Sequence, residues 1–134
     1  MQLVIDANPF IAGFLRDSAS RRIILSEKVV LFSPSWLLEE FQRNEPVLKN
    51  KFPSSSNFSE TKDILLRFIK IVPKAEYAGF ISEASRLAKH VKDVPYFALA
   101  LHLNCPIWSE EKSFKSQTKV RVHSTSEMVK EFGL

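Results

Sequence analysis

Leu3-Val4-Ile5-Asp6-Ala7-Asn8-Pro9-Phe10 is the stretch whose reading decides the fold class of this chain. Three apolar residues in an unbroken run read as a strand buried on both faces, the kind a parallel sheet uses. The run ends abruptly at Asp6. Asn8-Pro9 then predicts a helix start, with Asn as the cap and proline at the first helical position, where its missing N–H costs nothing. Phe10, Ile11, Phe14 and Leu15 follow at helical spacing, so the strand feeds a helix with hardly any loop.

Working outward, the pattern repeats. A short helix is expected at about 20–25, then a buried-type strand at Val29-Val30-Leu31-Phe32. Ser33-Pro34 reads as a second cap-and-proline start for a helix carrying Trp36, Leu37, Leu38 and Phe41. Lys49 to Ser59, with Pro53 and its serines, reads as a surface loop. Ile64, Leu65, Phe68 and Ile69 recover helical spacing, and Ile71-Val72-Pro73 suggests a brief strand. Lys74 to His90 predicts one long amphipathic helix. Asp93-Val94-Pro95 opens a helix that is apolar almost all round through Leu103, so it should pack on several sides. Pro106-Ile107-Trp108 and Val120-Arg121-Val122 read as short strands, the latter at an edge, and Ser124-Thr125-Ser126-Glu127 as a capping box. Strands alternating with helices imply a three-layer α/β/α architecture around a parallel sheet. No repeat or linker divides the chain, and one domain is expected over residues 1–134.

Composition narrows the class. Of 134 residues, 45% are hydrophobic and 25% charged, enough apolar material for a core without a staple. The single Cys105 excludes a disulfide framework and reads as a small buried hydrophobe. No apolar run approaches the roughly 18–20 residues that cross a bilayer, and the N-terminus lacks a basic leader. A cytoplasmic protein is expected. Net charge is +4, compatible with a polyanionic partner. Three glycines, Gly13, Gly79 and Gly133, make no phosphate-cradling loop, so a P-loop enzyme is excluded.

The acidic residues are more informative. Ligands of open α/β sheets bind beyond the carboxyl ends of the strands. Asp6 ends the first strand, Glu111 follows the Ile107-Trp108 strand, Glu39 and Glu40 stand early in the second major helix, and Asp93 begins the apolar helix. All can face one rim. Converging carboxylates repel one another unless a cation compensates, and hard divalent ions with oxygen ligands suit that task. Each acid also has a plainer reading. Asp93 could be an N-cap, Glu40 a solvated residue favoured by the helix dipole, and Glu111 part of an exposed turn. Asp6, with Asn8 available as the cap, is the hardest to dismiss.

In combination, these segments resemble the PIN-domain family. Val4-Ile5-Asp6-Ala7-Asn8 is similar to its opening hydrophobic-Asp-x-Asn motif, and Leu37-Leu38-Glu39-Glu40-Phe41 to its second acidic motif, whose register selects Glu40 over Glu39. Asp93 through Leu101 resembles the third motif, an Asp starting an Ala/Leu-rich helix. Asn104 through Phe114 resembles the fourth, a strand followed by Ser/Thr-x-Asp. The resemblance implies a five-stranded parallel sheet and a magnesium- or manganese-dependent endoribonuclease. Many small members are VapC-like toxins, often homodimeric and neutralised by a protein antitoxin. Carried over by position, Asp6, Glu40, Asp93 and Glu111 are the expected catalytic metal ligands. Asn8 and Ser109 are expected to orient them or a water. Lys112, and beside it Lys115, are candidates for RNA phosphates. The pattern departs from the family at Glu111, where Asp is usual, at Ser113, a position often acidic, and at Ala7, often a hydroxyl residue.

Two other readings compete. A catalytically weak or inactive PIN-like domain that binds RNA or a protein partner follows from Glu111 and Ser113. A phosphatase-like enzyme also places an acid after its first strand, but it needs Asp-x-Asp, and position 8 is Asn. The three histidines, His90, His102 and His123, lack ligand spacing and read as structural.

Overall fold

A computed structural model describes residues 1–53 and 57–133. Five parallel strands form one sheet: β1 (Gln2–Ile5), β2 (Val30–Pro34), β3 (Ile69–Val72), β4 (Ile107–Trp108) and β5 (Val122–His123). Their spatial order is β3-β2-β1-β4-β5, so the chain winds outward from β1 and then returns to its other side. The register pairs Val4 with Phe32 on one side and Val4 with Ile107 on the other. In central β1, Leu3, Val4 and Ile5 are fully buried, as are Ile107 and Trp108 of its neighbour β4. That burial is what an unbroken apolar run demands.

Nine helices occur among the described residues: α1 (Ala7–Leu15), α2 (Ala19–Leu25), α3 (Trp36–Arg43), α4 (Glu45–Lys51), α5 (Phe58–Leu66), α6 (Lys74–Tyr77), α7 (Ile81–Leu87), α8 (Val94–Leu103) and α9 (Thr125–Phe132). Helix α1 packs with α2, α3 and α5, whereas α6 and α7 pack on α8, which also touches β1, β2 and β4. The helices thus flank the sheet as expected. Tyr96, Phe97, Ala98 and Leu99 on α8 are fully buried, the outcome for a helix apolar on all sides. On the α1 side Phe14 contacts the rings of Phe41, Phe52 and Phe58 at 4.8–5.0 Å between centroids. Ring pairs at this spacing stabilise beyond simple area burial.

Several local expectations change. Asp6, not Asn8, is the N-cap of α1: its carboxylate accepts from the Ala7 N–H at 2.8 Å. Pro9 therefore falls two residues later in the first turn, where it still lacks no needed donor. Ser33-Pro34 does not open a helix. Both residues remain in β2, Pro34 in register with Val72, and α3 starts after Ser35. The stretch Lys74–His90 is three pieces, with a 3-10 turn at Ala78–Phe80 between α6 and α7; Gly79, a poor helix former, lies in that turn. Lys49–Lys51 belong to α4 rather than to a loop, and 54–56 of that expected loop lie outside the described residues. The capping box at Ser124 and Glu127 forms in full.

Candidate active site

The winding direction reverses at β1 and β4, and the crevice at such a switch point lies beyond the carboxyl ends of the two strands. Asp6 leaves β1 there, and Ser109 leaves β4. The two residues are joined: Ser109 Oγ donates to Asp6 Oδ2 at 2.7 Å and itself accepts from the Glu111 N–H at 3.0 Å. Asn8 bridges the same strands, its Oδ1 accepting from the Glu110 N–H at 3.2 Å. Asn8 and Ser109 therefore tie the β1 rim to the β4 turn.

Asp6 is 6% exposed, and its carboxyl is pushed up to about 7. Burial is the main cause, and the negative charges of Asp93 and Glu40 add to it; the bonds from Ser109 and Ala7 pull the other way without prevailing. Glu40 reaches the rim from α3. Burial raises its carboxyl as well, and its Oε1 accepts from the hydroxyl of Tyr96. Asp93 stands at the N-cap of α8 but makes no capping hydrogen bond. It is 5% exposed, and its Oδ2 is buried without a partner among the described residues. Burial raises it, and nearby Glu111 raises it further. The plain N-cap reading of Asp93 therefore fails, because the carboxylate caps nothing.

Adjacent acids at two positions are separated by what they touch. Glu110 accepts from the Thr125 N–H at the start of α9, which leaves Glu111 as the β4-turn acid that Asp93 senses. Glu40 bonds Tyr96, whereas Glu39 faces a cleft described below. Glu111 itself is exposed, and Ser113 carries a buried hydroxyl with no partner among the described residues.

An orphaned buried carboxylate oxygen beside two further acids suits a divalent cation, which supplies the missing partner and offsets the mutual repulsion. Among the described residues no three His, Cys, Asp or Glu side chains are close enough to hold an ion on their own. The arrangement fits an open site, in which an ion takes one or two carboxylates and completes its shell with water and phosphate oxygens, as magnesium commonly does.

Basic side chains stand on one flank. Lys92 lowers both Glu40 and Asp93, Arg43 lowers Glu40 and His90 lowers Asp93, and none makes an ion pair with them. Arg43 lies over the Trp36 ring at 4.8 Å. A cleft of about 860 Å³ opens on this flank, lined by Trp36, Leu38, Val91 and Val94 with Lys89 and His90. Sequence reasoning favoured Lys112 and Lys115 instead. Lys115 is bound to Glu127, and Lys112 makes no ion pair with the acids. Arg21 donates to the carbonyls of Gly13 and Phe14 and closes the end of α1. Tyr96 was also missed, because in an apolar helical run a tyrosine has no sequence mark separating it from core.

A family model described as the PIN domain matches residues 4–132. The chain belongs to the PIN-domain family. PIN domains are generally nucleases that use divalent metals. Fourteen chains of solved structures match this PIN domain. One is from VapBC2 of Rickettsia felis bound to a DNA fragment from its promoter. That match has a TM-score of 0.65 and 16% identity, and covers 92% of this chain and 98% of the other. At that identity the likeness speaks for the fold. No curated protein matches the sequence. No helix among the described residues is long and apolar enough to cross a membrane.

Proposed function

We propose that this PIN domain is a magnesium- or manganese-dependent endoribonuclease that hydrolyses RNA phosphodiesters, with Asp6, Glu40, Asp93 and Glu111 as its metal-binding acids. One observation carries the reading: three acids with raised pKa values converge at the switch point, one of them with a buried oxygen that nothing satisfies. A fold does not maintain that arrangement for stability, since each buried negative charge opposes it. The bound ion would supply charge neutralisation at the phosphoryl oxygens and acidify a water. Asp6 and Asp93 bind and orient from β1 and α8, and Glu40 does so from α3. Ser109, through its bond to Asp6, holds that carboxylate in place, while Asn8 fixes the β4 turn that carries Glu111. Lys92, Arg43 and His90 draw the RNA backbone along the cleft side of the acids.

The same reading makes the whole chain, residues 1–134, a single cytoplasmic PIN domain and the toxin of a toxin–antitoxin pair, active as a homodimer and held by a protein antitoxin. Support comes from the VapBC2 chain, which the protein resembles over nearly its full length. A second reading, a PIN domain that binds RNA or a protein without cleaving, is favoured by the exposed Glu111 and by the lack of a closed three-ligand cluster among the described residues. Cleavage of RNA in the presence of manganese separates the two. Wild-type protein should cleave, and Asp93→Asn should lose about 100-fold or more in rate while remaining folded. Undiminished manganese-dependent cleavage by both Asp6→Asn and Asp93→Asn would remove these residues from the site.

A further inference from the structure

The acid at position 40 depends on a residue outside the acidic motifs. Tyr96 lies in the first turn of α8, three residues after Asp93, and is fully buried. Its hydroxyl is the one polar group of its side chain, and it donates to Glu40 Oε1, 56 positions away on α3. Glu40 is a long, partly buried side chain, and it has no other side-chain hydrogen bond or ion pair among the described residues. Holding such a chain in one rotamer costs entropy that the buried partner offsets. Only one of the two carboxylate oxygens is engaged among the described residues, so the other is left for a cation. Because Tyr96 and Asp93 share the first turn of one rigid helix, the bond also fixes α3 to α8 at the place where their acids must meet.

We infer that Tyr96 is a positioning residue of the metal site: its hydroxyl sets the Glu40 carboxylate so that α3 and α8 present their acids to one ion. This inference rests on the proposed metal-binding reading of the acids. A buried tyrosine that merely satisfies its own hydroxyl has a different signature, so manganese affinity is the measurement, made by calorimetric titration of the full-length protein without RNA. Tyr96→Phe keeps the ring and the core volume, and should weaken manganese binding about 10-fold with the helical circular dichroism of the wild type. In a Glu40→Ala background, adding Tyr96→Phe should cause no further loss, since the hydroxyl acts only through Glu40. Glu40→Asp approaches the bond from the other side, because the shorter chain cannot reach Tyr96. It should weaken binding and, where Tyr96→Phe folds, be insensitive to it; where Tyr96→Phe does not fold, wild-type affinity in Glu40→Asp would overturn the role of Tyr96. Wild-type affinity in Tyr96→Phe, or a full extra loss in either Glu40 background, would overturn the role of Tyr96 alone. A wild-type protein that binds no manganese would overturn the metal reading itself, and this inference with it.

Discussion

Asp6 and Glu127 both stand where a strand hands over to a helix at the carboxyl rim of one sheet, yet their carboxylates meet opposite fates. Glu127 is exposed, bound by Lys115 and by the Ser124 backbone at 2.9 Å, and its carboxyl is pulled down to about 2. Asp6 accepts two good hydrogen bonds, at 2.7 and 2.8 Å, and is nevertheless pushed up to about 7. Hydrogen bonding alone does not decide the outcome. Desolvation outweighs the bonds at Asp6, and the Asp93 and Glu40 charges reinforce it. Both carboxylates secure a helix start, but Glu127 does so in solvent beside a cation, and Asp6 does so where burial and neighbouring acids disfavour its charge.

The largest effect should come from neutralising the costly member. The folded protein keeps the Asp6 proton between about pH 4 and 7, where the unfolded chain has released it. The native state then binds more protons than the unfolded one, so apoprotein stability should fall as pH rises through that window, by about 1.4 kcal/mol per unit at most, and level off above it. Asp6→Asn should flatten that slope and make the apoprotein more stable than wild type at pH 8, as measured by urea denaturation across pH. A wild-type profile rising from pH 4 to 7 would erase the contrast with Glu127.

Manganese sharpens the comparison from the other direction. An ion that binds only the folded, deprotonated site stabilises by about 2.7 kcal/mol at one hundred times its Kd. The gain should be larger at pH 8 than at pH 5 and absent in Asp93→Asn, read from thermal melts with and without manganese. Ser124→Ala, which removes half of the capping box, should cost about 1 kcal/mol and leave the manganese response intact. The smallest expected effect concerns the flanking cations. Lys92→Ala should reduce the slope of log affinity for RNA against log salt by about one, whereas Lys112→Ala should leave it unchanged.

Much of this molecule is legible in the order of its residues. Buried strands such as Leu3–Ile5, and a helix like α8 that is apolar all round, are marked by their own composition, because burial on all sides removes the need for any polar position. Strand ends and helix starts likewise marked Asp6 and Asp93, the resemblance to the PIN-domain motifs singled out Glu40 over Glu39, and their shared rim follows from a parallel sheet. Local signals were weaker where two rules compete. Asn8-Pro9 and Ser33-Pro34 look alike in sequence, yet neither asparagine nor serine caps its helix, because Asp6 takes one role and strand pairing with β3 holds the other.

The sequence by itself determined the architecture and the candidate acids, since periodicity and strand ends are properties of neighbours along the chain. Only the tertiary structure decided how those acids are held. Tyr96 reaching Glu40, Glu110 diverted to α9 while Glu111 remains near Asp93, and Lys92 beside Glu40 all depend on residues brought together from distant elements. The raised carboxyl of Asp6 belongs to the same class. Its cause is the removal of water by packing around the crevice, and no spacing in a sequence records where water has been excluded.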